Sequence, residues 1–587
     1  MSDTITTEKP TVPKLSPAES FKQESQFLRG VIGSELGDDQ DHFGQSSEIL
    51  LKFHGTYQQD DRDVRGGVPA DDGGKRKSYI FMVRSRVPGG RLTSEQLLAE
   101  LDLCDEVGNT TLRITSRQGL QLHGVLKQNL KQVIARINEI QLSTLAACGD
   151  VNRNIMCCPA PYKNEVYDEL RRLTDTLVKH FAPRTKAYHE IWLTDSSTGV
   201  KQLAGGVAED DEPIYGKHYL PRKFKMAIAL PDDNCIDVHA NDLGFLAKVE
   251  HGRVVGYNVL VGGGMGLSPA NKKTFAAVAQ YLTYVTPEQA LAVAEAIVKV
   301  QRDFGNREDR KQARMKYLIH NWGLAKFKQQ VEEYYGGELP APDTSVSVRG
   351  FNDHMGWDEQ GDGLWFYGLN IENGRIKDTD ESTLKSALRE VCHTLHPGIR
   401  LTSHQSLLFT DMRAEDKPVL EAILRKHRVK LSEEISVVRR WSMACVAWPT
   451  CGLSITESER ALPGILDQME VELAKLGLAS DRFTVRMTGC PNGCARPYNC
   501  DIGLVGKARG KYTVYLGGRL LGDRLGFIYQ DMILEADVVK SLLPVFSYFK
   551  LDRLEGETLG DFCLRKGKDA LLQYASESAA SVEPLPL

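Results

Sequence analysis

Two short cysteine pairs constrain this chain more than any other feature. Cys445-Val-Ala-Trp-Pro-Thr-Cys451 is C-x5-C, and Cys490-Pro-Asn-Gly-Cys494 is C-x3-C. Together they supply the four thiolates that a cubane iron–sulfur cluster takes. Pro449, Pro491, Gly489 and Gly493 make both segments turns, where backbone amides can point at cluster sulfides. The linking segment predicts a helix opened by a capping box at Ser454 and Glu457, then a strand over Arg482–Thr488. Such a unit carries two remote pairs to one place. Two plainer readings stay open on spacing alone. One is four buried free thiols. The other is structural zinc, although zinc pairs favour C-x2-4-C and the five-residue gap argues against it. Cys104, Cys148, Cys235, Cys392, Cys500 and Cys563 read as core, whereas Cys157 and Cys158 adjoin a basic motif.

At roughly 100–200 residues per domain, 587 residues ask for three or four domains. Part of the chain repeats. Arg113-Ile-Thr-Ser-Arg-Gln-Gly-Leu120 lines up with Arg400-Leu-Thr-Ser-His-Gln-Ser-Leu407 at an offset of 287, and the same offset carries Cys158 onto Cys445. Both octapeptides sit in one predicted order. Strand Tyr79–Val87, helix Ser94–Val107, strand Thr111–Thr115 and helix Leu130–Ile140 precede strand Leu364–Ile371, helix Thr383–Leu395, strand Gly398–Thr402 and helix Lys417–His427. We therefore expect an α+β chain with two related halves about a pseudo-two-fold axis. The expected divisions are an N-terminal arm and loop (1–77), half repeat 1 (78–147), a further α+β domain (148–345), half repeat 2 (346–428), the cysteine-bearing domain (429–575) and a disordered tail (576–587).

Charge and hydropathy exclude some functions. The net charge of −5, from 73 basic and 78 acidic residues, argues against a general nucleic-acid binder. No run of about 18 apolar residues is present, so no membrane span is expected. The first residues, MSDTITTEKPTVPK, lack the apolar segment of a secretory signal, and a cytoplasmic protein with unpaired cysteines is expected.

Cationic residues recur beside predicted strand ends: Arg84 and Arg86, Arg113 and Arg117, Arg153 in Val-Asn-Arg-Asn, and Lys223 and Lys225 in Leu-Pro-Arg-Lys-Phe-Lys. Singly, each reads as a solvated surface charge. Alternation puts both lysines on one strand face with Phe224 on the other. A converging set would suit a small oxyanion and a polyanionic cofactor, but spacing alone does not make them converge.

From about residue 20 to 575 the chain resembles the assimilatory sulfite and nitrite reductases, which couple sirohaem to a [4Fe-4S] cluster. The resemblance is carried by Phe53-His-Gly-Thr-Tyr-Gln-Gln59, Leu112-Arg-Ile-Thr-Ser-Arg-Gln118, Gln121-Leu-His-Gly124, Asn152-Arg-Asn154, Leu220-Pro-Arg-Lys-Phe-Lys225, Val261-Gly-Gly-Gly264 and Thr488-Gly-Cys-Pro-Asn-Gly-Cys494. It implies a three-domain α+β fold with ferredoxin-like halves. It implies cluster ligation by Cys445, Cys451, Cys490 and Cys494, with Cys494 also bridging to sirohaem iron. It implies substrate contacts from Arg86, Arg153, Lys223 and Lys225, and sirohaem contacts from Arg113, Arg117 and Gln121. Val261-Gly-Gly-Gly-Met-Gly-Leu267 lacks the G-x-G-x-x-G spacing, and the resemblance makes it a loop approaching sirohaem rather than a dinucleotide.

The implied reaction is reduction of sulfite to sulfide for cysteine biosynthesis, with nitrite reduction or a bare electron carrier as alternatives. In the similar nitrite enzymes the second lysine of Lys-Phe-Lys is typically Asn, so Lys225 favours sulfite. The donor is expected to be a separate protein. Gly124-Val-Leu-Lys-Gln-Asn129, Glu359-Gln-Gly-Asp-Gly363 and Cys494-Ala-Arg-Pro-Tyr498 are similar to ferredoxin-dependent forms. Tyr57-Gln-Gln-Asp-Asp-Arg-Asp63 is similar to the haemoprotein subunit that works with an NADPH-dependent flavoprotein.

Overall fold

The computed structural model describes residues 15–65, 77–189, 192–199, 201–203, 212–268 and 271–580. Among the described residues four five-stranded sheets, each backed by helices, make an α+β chain with a pseudo-two-fold relation. Two of the sheets are the antiparallel halves. One runs Thr56–Asp60, Tyr79–Ser85, Leu120–Val125, Leu112–Ile114 and Arg375–Ile376; the other runs Gly356–Glu359, Trp365–Leu369, Leu407–Met412, Gly398–Leu401 and Arg91–Leu92. The last strand of each sheet comes from the other half, so the halves are stitched by exchange. At the two crossings the backbones nearly touch. A Cβ on Gly90 would sit 2.4 Å from Leu401 O, and one on Gly374 would sit 2.2 Å from Ile114 O. Both glycines have positive φ (74° and 73°), which only glycine adopts freely. One apolar core containing Phe81, Leu101, Val133, Tyr367, Val391 and Phe409 lies between the halves, so neither buries its face alone.

The octapeptide repeat is one loop built twice. Gly119 N and Ser406 N donate to the hydroxyls of Thr115 and Thr402, while Gln118 Nε2 and Gln405 Nε2 donate to Cys157 O and Ala444 O, each at 2.8 Å.

The duplication extends further than the sequence indicated. The segments expected as a separate middle domain and a last domain hold the other two sheets, and these share one topology. Met156–Cys157, Met226–Ala229, Leu243–Glu250, Arg253–Val261 and Gln280–Val285 follow the same order and directions as Ser442–Ala444, Val485–Thr488, Ile502–Ala508, Lys511–Leu516 and Phe527–Leu534.

Several local expectations need correction. The expected arm holds helices Pro17–Glu24 and Gln45–Leu51 and the edge strand Thr56–Asp60. Lys22 is fully buried there, paired with Glu19 and Asp150, which ties the segment to the next domain. Residues 1–14 and 66–76 of the expected arm and loop lie outside the described residues. The expected tail begins too early: helix Leu559–Ala580 runs through it, and 581–587 lie outside the description. Ser454 does not cap a helix. Its hydroxyl donates to Thr456 O in the cysteine loop, and the helix begins later, at Leu462–Lys475, with Pro463 in its first turn. The final strand is shorter than expected, Val485–Thr488.

Candidate functional site

Parallel pairing of Ser442–Ala444 with Val485–Thr488 delivers both cysteine pairs to one sheet end. Cys445 N donates to Met487 O (3.1 Å), and Ile455 N and Thr456 N donate to Gly489 O (2.8 and 3.1 Å), which locks the two loops together. Gly489 N points at Cys445 Sγ (3.4 Å) and Asn492 Nδ2 at Cys490 Sγ (3.5 Å), the amide-to-sulfur contacts that a thiolate site uses. Burial, and after it the neighbouring Cys494 thiol, pushes the thiols of Cys445, Cys451 and Cys490 upward. The four sulfurs therefore share one electrostatic site. Among the described residues the one His, Cys and acid group that closes to single-ion spacing is elsewhere, so this wider set suits a multi-iron cluster rather than zinc. Cys494 differs from the other three in being exposed.

The cations converge on the same place. Arg153 N donates to Phe224 O (2.9 Å), and Asn152 bridges Phe224, so the Asn-Arg-Asn and Lys-Phe-Lys segments run side by side. Phe224 is buried while Lys223 and Lys225 keep some exposure on the opposite side. Neither lysine, nor the Arg86 guanidinium, has a hydrogen-bond or ion-pair partner among the described residues. Burial, then the adjacent Arg222 and Arg314, brings Lys223 down to about 7. Burial, then Arg117 and Lys223, holds Lys225 well below the usual lysine range. Burial likewise lowers Arg117 to about 9, although Asp242 opposes it. A cleft that leaves Lys223 and Lys225 without partners among the described residues, beside Arg117 and Arg153, is electrostatically complementary to an anion.

Comparison with known proteins identifies the architecture. Residues 148–339 match the nitrite and sulphite reductase 4Fe-4S domain, and residues 73–140 and 358–427 match the nitrite/sulfite reductase ferredoxin-like half domain. A Staphylococcus haemolyticus protein named as sulfite reductase [NADPH] hemoprotein beta-component is 44% identical over 559 residues, covering 94% of this chain and 95% of its own. A Synechococcus elongatus protein named as sulfite reductase [ferredoxin] is 44% identical over 575 residues, covering 96% and 91%. The chain belongs to the nitrite and sulfite reductase family. Its fold is also that of the Mycobacterium tuberculosis NirA protein, with a TM-score of 0.78, 26% identity and coverage of 95% and 98%.

The residues present fit the family's sirohaem and [4Fe-4S] pair. Among the described residues several buried polar atoms lack a partner, including Arg117 Nε and Asn152 Oδ1 beside the lysine segment and both ring nitrogens of His123 near Arg113. A buried donor left without a partner costs about 1–3 kcal/mol, and the carboxylates of a bound macrocycle would accept from the N–H donors of Arg117 and His123. Not every expected contact residue is free for that task. Arg113 pairs with Glu459 (3.0 Å) and donates to Ala444 O (2.8 Å), which braces the cluster side. Gln121 faces Arg84 across the strands. Arg117 keeps a buried row through Asn241 Oδ1 (2.9 Å) and Met226 O (2.8 Å). The Val261–Leu267 glycine loop leads into an antiparallel strand, not a helix, which excludes a dinucleotide turn. It lies against the cluster loop through Leu267 N to Pro491 O (3.0 Å).

Sequence reasoning missed the residues that hold these loops. Arg314 chelates Asp242 (Nε–Oδ1 3.0 Å, Nη2–Oδ2 2.8 Å) and Gly263 O (3.1 Å), while Lys316 Nζ donates to Gly264 O (2.9 Å) and Gly266 O (2.7 Å). Arg62 donates to Pro449 O (2.8 Å), Ser454 O (2.9 Å) and Cys451 O (2.7 Å), and its guanidinium stacks on Trp448. No local pattern signals a side chain that caps a loop almost 390 residues away. Arg62→Ala should strip three charged donors from the first cysteine loop. We expect a stability loss on the order of 2 kcal/mol and faster release of cluster iron to a chelator. Thermal unfolding and iron-release rates of the holoenzyme test this, and an unchanged release rate would show that the loop does not need Arg62.

Proposed function

We propose that this chain is an assimilatory sulfite reductase, carrying out the six-electron reduction of sulfite to sulfide for cysteine biosynthesis. One observation carries the reading: Lys223 and Lys225, without a partner among the described residues, lie in one cleft with Arg117 and Arg153 and within electrostatic reach of the one exposed cluster cysteine, Cys494. When bound, sirohaem and the [4Fe-4S] cluster supply the redox chemistry. Cys445, Cys451, Cys490 and Cys494 would hold the cluster, and the exposed Cys494 would be the thiolate shared with the haem. Arg117, Gln121, His123 and the braced Arg113 would bind the haem's carboxylates. Arg86 and Arg153 neutralise the anion. Lys223 and Lys225 hold substrate oxygens and hand over protons as oxygen leaves as water.

The lysines are set for that duty. Lys223 gains and loses its proton near neutral pH because the cleft disfavours its charge. The sign follows: its cation is present below about 7 and is lost as pH rises through it. From about pH 6 to about pH 8, sulfite KM should therefore rise in the wild type more than in Lys223→Arg, whose guanidinium stays charged. Taking the ratio of the two profiles removes the substrate's own titration. Parallel profiles would show that Lys223 does not govern binding.

Electrons come from a separate protein, and we take a ferredoxin as donor. Exposed Leu453 and Ile455 flank Cys451 beside Trp448 and Arg509, a small apolar and basic entry face. The similarity to a haemoprotein component of an NADPH enzyme makes a flavoprotein partner the second reading. No described helix is long and apolar enough to cross a membrane. Twelve unpaired cysteines fit a reducing compartment, and we place the reaction in the cytoplasm. Anaerobic sulfide production by the purified chain, with reduced ferredoxin in one arm and NADPH plus a flavoprotein reductase in the other, tests reaction and donor together. No sulfide in either arm would overturn the reading.

A further inference from the structure

The pseudo-symmetry places a second group of metal-binding side chains where the first half would hold its counterpart of the cluster. Strand register fixes the correspondence. Cys157 pairs with Ile228 as Ala444 pairs with Met487, and Leu243 pairs with Met226 as Ile502 pairs with Val485. Cys158 therefore occupies the position of Cys445. In the loop after the next strand, Leu230-Pro-Asp-Asp-Asn-Cys235 corresponds to Gly489-Cys-Pro-Asn-Gly-Cys494, so Cys235 occupies the position of Cys494. The family's 4Fe-4S domain match over residues 148–339 falls on this unit, although the cluster cysteines lie in the other one.

The two remaining cluster cysteines have no cysteine counterpart here, and other donors fill the space. Asp233 comes from the same loop, and His354 from the segment entering the second half sheet. One donor atom from each of Cys158, Asp233, Cys235 and His354 lies within 4.8 Å of all the others, and all four residues are buried. Asp233 Oδ2 is 2.9 Å from Cys158 Sγ and 3.0 Å from His354 Nε2, and that nitrogen is 3.4 Å from the same sulfur. The outer shell orients the set. Asp233 Oδ1 accepts from Cys235 N and Asn352 N, each at 3.2 Å, so Oδ2 is the oxygen turned inward. Asn352 Oδ1 accepts from His354 N (2.9 Å), and His354 has φ 58°, a left-handed conformation that is costly for a residue with a Cβ. A cavity of about 680 Å3, lined by Tyr162, Pro231, Asp233 and His354, opens on the group and gives an ion a way in.

We propose that Cys158, Asp233, Cys235 and His354 form a zinc site, the single-ion counterpart of the cluster site in the other half of the molecule. Two sulfurs, one imidazole and one carboxylate, closed to single-ion spacing, suit tetrahedral zinc better than a hard cation. The ion would pin the turn after Met226–Ala229 to the chain entering the second half sheet. The proposal does not rest on the assigned substrate.

The test is metal analysis of the iron-loaded holoenzyme, prepared without a metal-chelating tag, incubated with one equivalent of zinc and gel-filtered. About one zinc per chain should be retained, and zinc-edge X-ray absorption should show two sulfur neighbours near 2.3 Å with nitrogen or oxygen completing the shell. Zinc retention should fall at least tenfold in Cys158→Ser/Cys235→Ser and in His354→Gln, with iron content unchanged. Wild-type protein that retains no zinc, equal retention in the variants, or four sulfur neighbours around zinc would each overturn the proposal. The absorption result stands on the wild type even if a variant fails to fold.

Discussion

Cys494→Ser should abolish sulfite reduction and strip the holoenzyme of both its cluster signal and its coupled haem spectrum. The geometry singles this residue out. Cys445, Cys451 and Cys490 are at least partly buried in loops that donate amides to them, whereas Cys494 is exposed toward the cleft that holds Lys223. It is also a charged neighbour of each of the other three thiols, which burial and then Cys494 push upward. Its loss removes one of four cluster ligands and, on the proposed assignment, the bridge to the haem. A ligand loss of this kind costs more than the 10- to 100-fold typical of supporting residues, so activity should fall beyond about a hundred-fold. Two controls separate this from general damage. Cys104 and Cys563 are buried in apolar cores away from the cleft, and Cys104→Ser and Cys563→Ser should leave both spectra intact. Electron paramagnetic resonance of the reduced protein and its visible spectrum provide the readout. A wild-type cluster signal with full activity in Cys494→Ser would remove the residue from the site.

What was legible in the sequence was whatever is written locally. The cysteine pairs are short segments with their own turn chemistry. The octapeptide repeat survives because its threonine and glutamine make the same loop bonds twice, from Thr115 and Gln118 and again from Thr402 and Gln405. The second pair of duplicated sheets was not legible, for a specific reason. The offset between equivalent positions is 287 at Cys158 and Cys445 but 259 at Cys235 and Cys494, because the first copy has the longer connection between its first two strands. A comparison at one fixed offset loses the match midway, and Cys235 then reads as an ordinary core cysteine. The bracing residues were hidden in another way. Arg62, Arg314 and Lys316 act on backbone carbonyls, and a carbonyl acceptor leaves no trace in residue identity. The misplaced capping box has the same origin. Ser454 has the right neighbour in sequence, but the cysteine loop takes its hydroxyl first.

The prediction that bears most on substrate choice concerns Lys225. Burial, then Arg117 and Lys223, disfavours its charge in the free protein, so a bound anion is what stabilises the ammonium. A pyramidal anion with three oxygens can be held at two oxygens by Lys223 and Lys225 while Arg86 and Arg153 take the remaining charge. Nitrite offers two oxygens and needs fewer donors. Lys225→Asn keeps a hydrogen-bond donor and removes the charge, and Asn is the residue typical of the similar nitrite enzymes. The loss of one charged hydrogen bond, on the order of 1.5–3 kcal/mol, corresponds to about a ten- to hundred-fold shift in relative kcat/KM toward nitrite. The competing view makes Lys225 a solvated lysine, and its burial among cations without a partner among the described residues speaks against that. Steady-state rates on both anions with one artificial donor separate the two. Unchanged rates would return Lys225 to the background, and equal losses on both anions would make it an anion-binding residue without a say in selection. A preferential loss on sulfite means that the fourth cation in the cleft sets which oxyanion is reduced.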